Sequence, residues 1–168
     1  MRYFDTYESP HGQMLLVATE RGLAGLYFAG QKYFPKKDKA WTRAPNHPPL
    51  IQAKRELKEY FAGKRSRFGV ALDPQGTPFQ RKVWQAIAKV DFGKTLTYAE
   101  LAKRAGAAGS FRAAGAATGR NPLSVIVPCH RIVGSNGSLT GYAGGLNRKR
   151  ALLGLEGVPL TGASGRMR

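Results

Sequence analysis

The rhythm of this sequence changes at Asp73-Pro74-Gln75-Gly76, and that change constrains the fold more than any other feature. Pro and Gly within four polar residues interrupt regular structure. On the N-terminal side apolar residues alternate. Ser9-Pro10-His11-Gly12 reads as a turn, Met14–Thr19 as a strand, Glu20-Arg21-Gly22 as a second turn and Leu23–Phe28 as a second strand. The Lys-, Pro- and Gly-rich residues 29–49 read as a loop, closed by Pro48-Pro49. Leu50, Ala53, Leu57 and Phe61 then recur at helical spacing up to Gly63, and Phe68–Leu72 offers one more strand.

On the C-terminal side helix signals dominate. Thr77-Pro78-Phe79-Gln80 combines an N-cap Thr, Pro at the first helical position and a Gln that completes a capping box. Thr97-Tyr98-Ala99-Glu100 is a second capping box, for a helix ending near Arg104. Ser110 is expected to cap a third helix over Phe111–Gly119, and the turn Gly106-Ala107-Ala108-Gly109 makes the pair a helix-turn-helix candidate. Ser124–Val127 reads as a short buried strand leading to Pro128 and Cys129, Ile132-Val133 as a second extended piece, and Leu146–Leu153 as a last helix. The expected fold is α+β. Residues 1–76 form an N-terminal subdomain with a small antiparallel sheet and a helix. Residues 77–157 form a mostly helical C-terminal domain with the helix-turn-helix and the cysteine loop. Residues 158–168 form a basic, disordered tail.

Charge narrows the partner. Lys and Arg number 27 against 10 Asp and Glu, a formal net charge of +17 over 168 residues. Such an excess favours a polyanion, because every phosphate neutralised releases condensed counterions; nucleic acid leads and an anionic membrane surface follows. No apolar run is long enough to span a bilayer and the N-terminus lacks a signal-peptide stretch, so a cytoplasmic protein is the default expectation. The single cysteine excludes an intramolecular disulfide, and His11, His47 and His130 are too scattered for a Cys/His zinc site.

The cysteine lies in Ile126-Val127-Pro128-Cys129-His130-Arg131. A lone cysteine is usually a small buried hydrophobe. Here a His beside it and an Arg after it could raise the thiolate fraction. In an extended chain, however, consecutive side chains point to opposite faces, so His130 serves Cys129 only if the chain turns there or a water bridges them.

Pro128-Cys129-His130-Arg131 resembles the active-site motif of the O6-alkylguanine-DNA alkyltransferases, also called methylated-DNA–protein-cysteine methyltransferases. Asn121-Pro122 lies upstream as in that family. Thr140-Gly141-Tyr142-Ala143-Gly144-Gly145, Arg148-Lys149 and Leu152-Leu153-Gly154-Leu155-Glu156-Gly157 follow at its spacing, and Thr77-Pro78-Phe79-Gln80 with Val83-Trp84 opens the match. The resemblance runs from Thr77 to Gly157 and is weaker upstream.

It implies that Cys129 accepts the alkyl group irreversibly, that His130 takes its proton through a water, and that Glu156 orients His130. On sequence alone, Glu156 would be a solvated helix-end carboxylate. Tyr98 is implied as proton donor to the departing guanine, and Asn121 as the brace of the cysteine loop. Arg112 is implied to fill the space of an extruded base from the minor groove of double-stranded DNA, with Ser110, Ala113, Ala114, Gly115, Thr97 and Arg120 as further DNA contacts. The small residues around Arg112 suit close approach to a sugar–phosphate wall and not major-groove reading. Tyr142, Ala143, Gly144, Val127, Ile132 and Lys149 are implied to form the base pocket. Ala143 stands where some relatives carry Ser, which leaves no side-chain donor to the guanine O6 there. A monomer is expected, and the implied reaction calls for no cofactor and no catalytic metal. Three other readings compete: a lesion-binding module without transfer, which Cys129 argues against; a cysteine hydrolase, which needs turnover; and a basic DNA-coating protein with an inert thiol.

Overall fold

A computed structural model describes residues 1–161 and 166–167. The chain divides into two units, Met1–Gln75 and Gly76–Arg168.

In the first unit β1 (Tyr3–Ser9), β2 (Gly12–Ala18) and β3 (Leu23–Phe28) form an antiparallel meander. The short β4 (Thr42–Arg43) adds in parallel to β1, giving the order β3-β2-β1-β4. Gly12, at φ 111°, makes the β1–β2 turn, and the Ser9 hydroxyl closes it on the Gly12 carbonyl. The central strand β2 is buried from Met14 to Ala18. Leu15 and Val17 join Phe4 under Tyr27 and Trp41, while Met14 and Leu16 alternate to the other face. Helix α1 (Pro48–Phe61) packs on the sheet through Leu50, Ala53, Leu57 and Tyr60. Pro48 and Pro49 do not merely end the preceding loop. They occupy the first helical turn, where a missing N–H costs nothing.

Two expectations for this unit need correction. Residues 29–49 are not all loop: β4 lies among them, and the buried Gln31 side chain accepts from the Phe28 N–H at 2.8 Å. Phe68–Leu72 is not a strand but a single parallel bridge, Leu23 to Leu72. Two internal carboxylates, Asp5 and Glu56, carry polar bonds that periodicity does not reveal. Asp5 pairs with Lys54 and Arg43, and Glu56 accepts from the N–H groups of Gly69 and Val70.

The second unit begins with α2 (Pro78–Ala88), β5 (Leu96–Thr97), α3 (Tyr98–Arg104) and α4 (Phe111–Gly119). Both capping boxes are present as read: Thr77 with Gln80 and Thr97 with Glu100 each satisfy two helix-start donors. Ser110 makes no side-chain cap, so α4 begins without one. Helix α2 buries Val83, Trp84 and Ile87, about 2–3 kcal/mol of transfer free energy each. The Trp84 indole N–H donates to the Ala117 carbonyl at 2.8 Å and ties α2 to α4.

The stretch Ser124–Val127 is not a strand. It is a compact turn in which Val127 N–H bonds Leu123 O at 2.9 Å and Val125 sits at φ 74°, a strained conformation for a β-branched residue. Residues Cys129–Arg131 form a 3-10 turn, followed by β6 (Ile132–Val133) and α5 (Leu146–Leu155). The two-residue strands β5 and β6 pair in parallel, Leu96 with Ile132 and Thr97 with Val133. That pairing places the start of α3 beside the cysteine turn. The expected tail does not begin at Val158, which is buried with Val133, Leu139 and Leu153 because it is an apolar residue just past the α5 cap. The backbone of β7 (Leu160–Thr161) pairs with β8 (Arg166–Met167). The rest of the expected tail, 162–165 and 168, lies outside the described residues. Among the described residues no helix is long and apolar enough to cross a membrane, and no cluster of His, Cys, Asp and Glu could hold a metal.

Candidate active site

Asn121 follows the cap of α4 and is buried, so its side chain must satisfy itself locally. Its Oδ1 accepts from Leu123 N–H at 3.0 Å. Its Nδ2 donates to Val127 O at 2.8 Å and faces Cys129 Sγ at 3.2 Å. One amide therefore holds both ends of the strained turn and touches the sulfur. Cys129 itself is 5% exposed. Burial pushes its thiol pKa up, and the Asn121 donor and the positive charge of Lys149 offset only part of this. At rest the group is a thiol, and it needs a base to become a nucleophile.

The 3-10 geometry turns successive side chains by about 120°, so Cys129 and His130 are not forced onto opposite faces as a strand would require. His130 is fully buried, and its Nε2 lies 2.7 Å from Glu156 Oε2. Glu156 is buried as well. Burial alone would raise its pKa, but hydrogen bonds from His130 and Arg131 outweigh that and hold it at about 2. A permanently ionised carboxylate accepts, so Nε2 carries the ring proton and Nδ1 keeps the lone pair. Nδ1 is buried and makes no hydrogen bond among the described residues. Burial also lowers the His130 pKa, and Glu156 restores part of it, which keeps the ring a neutral base.

Arg131 does not serve the thiol. Its guanidinium grips Glu156 at 2.8 and 2.9 Å and donates to the Val90 carbonyl at 2.6 Å, fixing the end of α5 to the end of α2. The cation that bears on Cys129 is Lys149. This residue has no exposed surface, and its ammonium donates to the carbonyls of Ile132, Thr140 and Gly141 at 2.5, 2.9 and 3.1 Å. Burial lowers its pKa to about 8. With all three donors committed to backbone, Lys149 pins the segment 140–141 to β6 and does not line an open pocket. Its place in the Arg-Lys pair gives no sign of that role, because a helix-surface lysine is the ordinary expectation.

The Tyr98 hydroxyl donates to Thr140 O at 3.3 Å, its ring lies 6.0 Å from the Lys149 ammonium, and a side chain at Gly115 or Gly141 would meet it. Burial, with the negative charge that Cys129 carries once ionised, raises its phenol pKa to about 12, so it keeps its proton at neutral pH. The structure thus gathers Cys129, Asn121, His130, Glu156, Tyr98, Lys149 and Gly115. Tyr142 and Ala143 are half-buried and Gly144 buried beside them, with the Tyr142 ring edge-on to His130 at 6.5 Å. Val127 and Ile132 are buried. On α4, Arg112 and Ala113 are exposed and Gly115 is half-buried. Ala114 has no exposed surface: with Ala117 and Thr118 it forms the helix's inward face, so its side chain is not available as a contact. Ser110, Thr97 and Arg120 lie at helix ends.

Residues 78–158 match the sequence profile of the 6-O-methylguanine DNA methyltransferase DNA-binding domain, and residues 2–74 that of its ribonuclease-like domain. A methylated-DNA–protein-cysteine methyltransferase from Methanosarcina acetivorans is 44% identical over 92% of this chain and 98% of its own length. A protein of the same name from Mycobacterium bovis is 44% identical over 93% of each. The crystal structure of the Mycobacterium tuberculosis O6-methylguanine methyltransferase is 44% identical, covers 93% of each chain and superposes with a TM-score of 0.84. The structure of the M. tuberculosis protein in complex with DNA, at 43% identity and 92% of each chain, also gives 0.84.

Proposed function

We propose, because this chain belongs to the 6-O-methylguanine DNA methyltransferase family, that it repairs DNA by taking the alkyl group of O6-alkylguanine onto Cys129 in a single, irreversible turnover. The observation that carries the reading is the convergence of a buried thiol, a neutral imidazole and an ionised carboxylate within one turn and one helix end. His130 Nδ1 takes the thiol proton through a bridging water. The thiolate displaces guanine at the alkyl carbon: an S–C bond forms, the C–O6 bond breaks, and the electron pair leaves with the base. Tyr98 supplies a proton to the departing guanine, which is a poor leaving group as an anion. The thioether has no route of departure, so the protein is consumed. Glu156 and Arg131 hold the base in place, Asn121 holds the loop, and Lys149 holds the segment that closes over the site.

Double-stranded DNA is the partner. The family's DNA-bound relative and the +17 charge support it. Chemistry on a buried guanine requires the base to leave the stack, and the exposed Arg112 at the start of α4 suits insertion from the minor groove in its place. The protein acts as a cytoplasmic monomer.

The test is intact-mass spectrometry after incubation with a duplex carrying one O6-methylguanine, followed by peptide mapping. One methyl group per chain, located on Cys129, is the expected result. Bound DNA with unchanged protein mass would replace transfer by lesion binding. For Arg112→Ala, transfer from duplex is expected to fall on the order of 10²-fold, while transfer from a free-base substrate stays within about twofold. Equal losses on both substrates would remove the insertion role.

A further inference from the structure

We infer that the groove between α2 and the end of α3 is a second phosphate-binding site, through which the protein holds the backbone of duplex DNA apart from the contacts of α4. The inference rests on the DNA-repair reading and deepens it. Lys82 and Gln85 of α2 and its C-cap Lys89 follow one another at three and four residues and so share one face, and Arg104 of α3 closes the opposite side. The groove encloses about 470 Å³, with Ala86 and Ala105 among its lining. Lys82, Gln85, Lys89 and Arg104 are exposed, whereas Ala86 and Ala105 are buried. None of the residues implied to meet DNA from α3 or α4 lines it.

No acidic residue lines the groove. Among the described residues Lys82, Lys89 and Arg104 make no ion pair, whereas Arg43, Lys54, Arg65 and Arg131 each hold a carboxylate. Glu100, one turn before Arg104 on α3, bears electrostatically on that guanidinium, but its carboxylate is hydrogen-bonded to Thr97 at the helix start and makes no ion pair with it. Three like charges around a concave wall repel one another and focus a positive potential into the space between them. A chain of phosphates spaced along a backbone relieves that repulsion at several points at once, and Gln85 adds a neutral donor between the two lysines. The floor is alanine, so there is no aromatic platform for an unpaired base, which favours the duplex backbone over a single strand.

The experiment compares the full chain with K82Q/K89Q/R104Q and with a charge-matched control, K58Q/K64Q/R67Q, whose residues are exposed in the first unit. Affinity for a short undamaged duplex is measured against salt, and alkyl transfer from a free-base substrate is measured alongside. The groove variant is expected to lose up to about 2.7 from the slope of log K against log salt, at about 0.9 per contact, and on the order of 10- to 100-fold in affinity near 0.1 M salt. Its free-base transfer should match the wild type, which shows that the fold and thiol chemistry are intact. The control should keep its slope. An unchanged slope in the groove variant, or an equal loss in both variants, overturns the site and leaves only net charge. Wild-type chain that binds duplex with the full slope yet transfers no alkyl group overturns the repair reading and leaves the groove standing.

Discussion

Cys129→Ser is expected to bind DNA as the wild type does and to accept no alkyl group, a loss on the order of 10⁴-fold or more in transfer. The two side chains differ by one atom, and Asn121 Nδ2 can donate to an oxygen as well as to the sulfur it faces at 3.2 Å. The turn therefore keeps its brace, and the cost to stability stays near 1 kcal/mol. What changes is the nucleophile. A thiol whose pKa is raised by burial is still within reach of a neutral imidazole, whereas a hydroxyl in the same place is not. Intact mass after exposure to alkylated duplex, with DNA affinity measured on the same sample, decides the matter. A serine variant that still gains one alkyl group would place the acceptor elsewhere in the chain.

Glu156→Gln is expected to damage stability and chemistry together. The carboxylate closes a buried pair with Arg131 and fixes the His130 proton on Nε2. The carboxylate accepts from three N–H donors, and the amide turns its own N–H towards at least one of them, which leaves a guanidinium or an imidazole N–H unsatisfied inside the protein. Breaking a buried pair from one side costs about 3–5 kcal/mol, on the order of 10 °C in Tm for a chain of this size. Transfer from a free-base substrate, measured well below the melting temperature, should slow by about 10²–10⁴-fold, because His130 loses both its tautomer and its orientation. A variant that melts early but transfers at the wild-type rate would reduce Glu156 to a structural role. The same carboxylate predicts the acid limb of stability. Its folded pKa of about 2 lies below the ordinary glutamate value of 4.5, so its contribution is complete above pH 4.5 and is lost as pH falls towards 2. That shift corresponds to about 3 kcal/mol, and the glutamine variant should show a correspondingly flatter loss of stability over that window.

The helices of the second unit were legible because their starts are written in local chemistry. Thr77 with Gln80 and Thr97 with Glu100 need nothing beyond their own four residues to declare a helix end. The cysteine loop was not legible from periodicity. Ser124–Val127 has the composition of a strand, but Asn121 holds it in a turn with Val125 at positive φ, and a tertiary clamp of that kind overrides β-propensity. Strands β5 and β6 are two residues each, too short for an alternating pattern, yet their pairing brings Tyr98 towards the thiol. Glu156 and Lys149 look like solvated helix residues in sequence, and only packing shows that both are buried and bonded. The family resemblance carried those two positions where residue-by-residue reading did not, and even it gave no hint that Lys149 acts on backbone carbonyls.

His130 and Glu156 are 26 residues apart, and Arg131 joins the same carboxylate to the end of α2. The order of synthesis therefore matters to a protein that can react only once. A nascent chain carries its thiol before it carries the carboxylate that fixes the base, and α5 must be made and docked before the imidazole has a defined proton. Base-assisted transfer is thus a property of the finished domain. Folding also buries the thiol and raises its pKa, so in the finished molecule the sulfur waits as a neutral thiol for the imidazole that only the docked α5 sets in place.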